Sequence, residues 1–86
     1  MKPLDLRDMA VLGAIRQAQQ PVAVLQLAEI VASPNSGPGI HLSPHSIRRV
    51  VGKLRARGLA EHIQQGWMIT EQGRALWAAK GTRFTF

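Results

Sequence analysis

Residues 42–59 read Leu42-Ser43-Pro44-His45-Ser46-Ile47-Arg48-Arg49-Val50-Val51-Gly52-Lys53-Leu54-Arg55-Ala56-Arg57-Gly58-Leu59. Ser43 offers a side-chain oxygen to the free amides of a helix start, and Pro44 suits the first helical position, where no N–H is needed. Gly58 supplies the left-handed residue that ends such a helix. The spacing therefore predicts a helix from Pro44 to about Arg57. With Ile47 set to zero on the helical wheel, Val50, Val51 and Leu54 fall within about 60° of it and form one apolar stripe. His45, Arg49, Gly52 and Ala56 lie opposite, about 140–200° away, flanked by Arg48 and Lys53. Long donors thus surround small residues. Gly52 costs a helix roughly 1 kcal/mol against alanine. Either it avoids a clash inside this chain, or it lets something outside come close.

Charge sharpens the second reading. Residues 1–43 are balanced, with Lys2, Arg7 and Arg16 against Asp5, Asp8 and Glu29. Residues 44–86 carry Arg48, Arg49, Lys53, Arg55, Arg57, Arg74, Lys80 and Arg83 against Glu61 and Glu71, so the whole formal charge of +6 sits there. Such a cluster is the footprint of a polyanion binder, because neutralised phosphates release their counterions. It is equally the composition of a solvated basic helix.

At 86 residues the chain is expected to be one domain, 1–86, since two cores would each be too small. A hydrophobic share of 45% is enough for that core. The absence of cysteine excludes disulfides and thiolate zinc sites and suits a reducing, cytoplasmic setting. Uncharged stretches are interrupted by Pro21, Pro34, Pro38 and Pro44, so no bilayer span and no membrane partner are expected.

Around the central helix, the periodicity predicts a first helix over Leu6 to Gln19 with acidic residues at its start, stopped by Pro21. Val22-Ala23 has room only for a very short extended piece. A second, mostly buried helix follows from Val24 to Ala32, with Gln26 and Glu29 outside. Residues 33–42 read as an exposed loop, since Ser33 to Gly39 are all turn formers or helix breakers. After Gly58, Leu59 to Ile63 and Trp67 to Thr70 read as two strands joined by Gln64-Gln65-Gly66, with Gly66 placed where positive φ can be needed. Thr70 can cap a last helix from Glu71 to about Lys80, followed by a tail over 81–86. Leu59, Ile63, Trp67 and Ile69 are expected in the core. Trp77, Phe84 and Phe86 have less chain left to cover them, and are assigned either to a homodimer contact or to the monomer's own core. The fold class is mainly α with a small β-hairpin, that is α+β.

Three phrases carry a family likeness: Val24-Leu25-Gln26-Leu27-Ala28-Glu29-Ile30, then Leu42 to Leu59, then Ile69-Thr70-Glu71-Gln72-Gly73-Arg74-Ala75-Leu76. In order and spacing the chain resembles the winged helix-turn-helix family, and within it the MarR-type and PadR-type transcriptional regulators. The resemblance implies three helices, a two-stranded wing and a C-terminal helix. It also implies that His45, Ser46, Arg48, Arg49 and Lys53 fall at recognition-helix positions used on DNA. Gly52 would then admit the backbone to the major groove, Arg49 would reach a base edge, and Arg48 and Lys53 would reach phosphates. Gln64 and Gln65 at the wing tip join the candidate set as phosphate or sugar contacts, although solvent exposure explains them too. The tip lacks the arginine that longer wings insert into the minor groove, and the link between the second and third helices exceeds the three or four residues of a plain helix-turn-helix.

The expected function is sequence-preferring binding to double-stranded DNA by a small regulator, a repressor acting as a homodimer. The alternative is a winged-helix module that docks on an acidic protein without reading DNA. His41 and His45 have zinc-compatible spacing, but Ser43-Pro44 puts His41 ahead of the helix, so no metal or other cofactor is expected. His62 beside Glu61 reads as a surface residue. Acids are few and scattered, and no nucleophile stands beside a base, so no enzymatic activity is expected.

Overall fold

Two aspartates start the first helix. Asp8 N–H donates to Asp5 Oδ1 at 2.9 Å and Asp5 N–H donates to Asp8 Oδ2 at 3.1 Å, a reciprocal capping box that satisfies two otherwise unpaired amides. The computed structural model describes residues 4–33 and 39–80. Within it, α1 spans Leu6–Ala18, with Gln19 taking a left-handed conformation (φ 57°) at its C-cap. Every residue from Asp8 to Ile15 is buried, because α1 packs against every other helix and the hairpin. The broad stripe read from its sequence is therefore nearly a full cylinder.

The second helix, α2, spans Val24–Ala32, and Gln26 Oε1 accepts from Ala23 N–H at its start. Leu27 and Val31 are buried in it. Leu25, an apolar residue of this helix that reads as mostly buried, is 64% exposed beside Gln26, since a helix packed on one side cannot bury neighbouring positions equally. Beyond α2, residues 34–38 lie outside the described residues. The far end of the link is tied down: Ile40 N–H donates to Val31 O at 2.9 Å, and Ile40 and Leu42 pack against the core. The expected exposure thus applies to Gly39 and His41 but not to Ile40 or Leu42.

The third helix, α3, spans Pro44–Ala56, with Ser43 Oγ accepting from Ser46 N–H at 3.1 Å and Gly58 left-handed just beyond its end (φ 74°). Strands β1 (Ala60–Ile63) and β2 (Gly66–Ile69) pair antiparallel, Ala60 opposite Ile69 and Ile63 opposite Gly66. The turn is therefore two residues, Gln64-Gln65, and these carry the positive φ values of 48° and 63° that the sequence suggested for Gly66. Gly66 is needed for another reason. A Cβ there would lie 2.7 Å from the backbone of Pro21 and Val22, because Val22 and Trp67 exchange two backbone hydrogen bonds and add a one-residue third strand. The hairpin also corrects the expected core: Leu59 and Ile69 at its base are buried and Trp67 is half-buried, but Ile63 is exposed, since β1 leaves the core after Ala60.

The last helix, α4, spans Glu71–Lys80. Thr70 Oγ1 donates to Gly58 O at 2.6 Å and accepts from Gly73 N–H at 3.1 Å, so one hydroxyl joins the end of α3 to the start of α4. Gly73 lets α4 rest directly on the Leu59 carbonyl. Leu76 and Trp77 pack against this chain's own core. Phe84 and Phe86, the other residues of the suggested dimer contact, lie outside the described residues. The result is a small α+β structure of four helices and a two-stranded antiparallel hairpin. Among the described residues, no helix is long and apolar enough to cross a membrane.

Candidate nucleic-acid interface

Burial of Ile47, Val51 and Leu54 against the rest of the core fixes the rotation of α3. That rotation turns His45, Arg48, Arg49, Gly52, Arg55 and Ala56 to solvent. Arg48, Arg49 and Arg55 make no ion pair among the described residues. Between these cations lies a bare patch of backbone. A Cβ added at Gly52 would meet no heavy atom within 4 Å, so the glycine avoids no clash inside this part of the chain. Of its two readings from sequence, relief of crowding is removed as far as the described residues go.

Lys53 differs from its neighbours. Its Nζ donates to Asp8 Oδ2 at 2.7 Å, and the Asp8 side chain is only 4% exposed. The ammonium is turned toward α1, leaving its side chain 38% exposed at the edge of the outward face. A carboxylate that deep in the protein needs a counter-charge, and the contact pins α3 to α1. Ser46 is half-buried and accepts from Ser43 Oγ at 3.1 Å. Gln64 and Gln65 are exposed at the hairpin tip, on a different element from the rest of the predicted set.

Along the edge of α3 that carries Ser46, Arg49, Val50 and Lys53, an open cleft of about 380 Å³ separates it from Asp5, Arg7 and Asp8 at the start of α1. Sequence reasoning missed Arg7, Asp8 and Arg55. Arg55 lay in the basic run and could have been placed from the helical wheel. Asp8 reaches α3 through a contact 45 residues away in the chain, and Arg7 meets it only across the cleft, which no local pattern signals.

A buried α1, a supporting α2, an outward-facing basic α3, a hairpin and a closing helix make a winged-helix-like arrangement. No family model matches the chain, and no curated protein does. Among solved structures it is similar to a hypothetical protein determined by crystallography at 2.2 Å resolution, with TM-score 0.74 and 22% identity over 93% of this chain and 25% of that one. It is also similar to the activation domain of the phage T4 transcription factor MotA, with TM-score 0.65 and 18% identity over 93% of this chain and 82% of that one. The chain spans a quarter of the length of the hypothetical protein. At these identities the likeness is one of fold.

Proposed function

We propose that this chain is a small cytoplasmic regulator that binds duplex DNA by laying α3 in the major groove, and that it acts by occupancy rather than catalysis. The observation that carries this reading is the open patch at Gly52 between the exposed Arg48 and Arg49. A helix interior tolerates glycine at a cost of roughly 1 kcal/mol, and with no contact to relieve among the described residues, close approach by an external surface accounts for it. The MarR-type and PadR-type phrases support the same assignment, as does the accumulation of positive charge from residue 44 onward. One domain offers one helix to one groove. Tight specific binding then calls for a second copy about one helical turn away, so repression as a homodimer on a two-fold site is part of the proposal.

The test is a salt-dependent titration of the protein with promoter-like and random duplexes. Binding with a preference among sequences is expected, and absence of binding to any duplex would end the proposal. Arg49→Ala should relax base preference, whereas Arg48→Ala should weaken all sequences alike and lower the salt slope by about one.

A second reading, docking on an acidic protein, is favoured by the two-residue, uncharged hairpin tip and by the fold likeness to an activation domain. It predicts a complex that survives nuclease treatment and excludes DNA.

A further inference from the structure

The cleft between α1 and α3 is bounded by three cations, Arg7, Arg49 and Lys53, and by two carboxylates, Asp5 and Asp8. Asp8 is neutralised by an ion pair, whereas Asp5 is exposed and holds one backbone amide through Oδ1, so the cleft lining carries one cation more than it has carboxylates. Asp5 accepts from Asp8 N–H, and Asp8 accepts from Asp5 N–H and from Lys53. Lys53 is occupied by the same contact, which leaves Arg7 and Arg49 as the cleft's cations without an ion pair among the described residues. Arg7 is exposed and stands in the first turn of α1. A positive charge there opposes the helix macrodipole, so α1 gains nothing electrostatically from having it. Ser46 Oγ accepts from Ser43 Oγ and can donate its own proton into the cleft.

Building on the reading of α3 as the groove-entering helix, we infer that this cleft seats a backbone phosphate of the bound duplex, held by Arg7 from α1 and by Ser46 from α3. Arg49 forms the wall between this seat and the outward face, so a phosphate here fixes how far α3 turns in the groove while Arg49 extends to a base edge. Lys53, clasped by Asp8, contributes little of the phosphate charge. The phosphate contact expected of it from the sequence is transferred to Arg7, a residue from the electrically balanced half of the chain.

The experiment compares the parent protein with Arg7→Gln and Arg7→Lys across a range of salt concentrations, on one preferred and one random duplex. Arg7→Gln should lower the slope of log affinity against log salt by about one and weaken both duplexes by a similar factor. Arg7→Lys should restore the slope, since a phosphate accepts a point charge. The melting temperature of Arg7→Gln should hold or rise slightly, because the variant removes a cation from a helix start. If the parent binds duplex and Arg7→Gln leaves the slope unchanged, the phosphate seat is wrong and the reading of α3 stands. If the parent binds no duplex, both fall.

Discussion

At Gly73 an added methyl group would run into the Leu59 carbonyl oxygen and the Ile69 side chain; at Gly52 it would meet nothing within 4 Å. The first glycine lies where α4 is seated on the corner between α3 and β1, the second on the outward face of α3. One is kept small by the protein's own packing, and the other meets no neighbour among the described residues. The difference teaches that an identical residue in two helices can record two kinds of neighbour, one already present and one still to arrive. Lys53 and Arg48 form a matching pair among the charges: one is spent on a buried carboxylate and the other is open to solvent.

The comparison can be broken most forcefully at α4. Gly73→Ala should destabilise the protein by about 3 kcal/mol, at the upper end of overpacking costs, because backbone rather than a flexible side chain is in the way. Denaturant unfolding would measure it, and a loss below about 1 kcal/mol would mean that α4 is not held against Leu59. Lys53→Met should cost about 1.5 kcal/mol by leaving Asp8 without its counter-charge, less than a fully buried pair because Lys53 is partly in water. On DNA, the same variant should change the salt slope less than Arg48→Ala does. The sharpest contrast comes from the smallest change in stability. Gly52→Ala should raise stability by about 1 kcal/mol, since the helix gains and nothing clashes, while weakening duplex binding. A variant that is both more stable and an equally good binder would remove the reason given for Gly52.

Where structure follows from neighbouring residues, it was legible. Ser43-Pro44 and Gly58 mark the ends of α3 through capping chemistry within four residues, and the wheel turned Arg48 and Arg49 outward because Ile47, Val51 and Leu54 had only one way to be buried. Where contacts span the chain, the sequence was silent. The clasp of Lys53 by Asp8 and the approach of Val22 to Gly66 each join segments some 45 residues apart, and neither leaves a periodic trace. The hairpin tip failed for a different reason. Two glutamines occupy left-handed positions that normally select glycine or asparagine, so residue preference pointed to Gly66 while register placed the turn one step earlier. Ile63 was misassigned because hydrophobicity was taken as burial, whereas only Ala60 of β1 is buried and the strand beyond it stands out into solvent toward the hairpin tip.

The hydroxyl of Thr70 has a mechanical corollary. Since the same oxygen donates to the carbonyl of Gly58 and receives the amide of Gly73, the trailing end of one rod and the leading end of the next share a rivet. Removing that one oxygen, as in Thr70→Val, should therefore loosen both rods at once, a double loss from a single substitution.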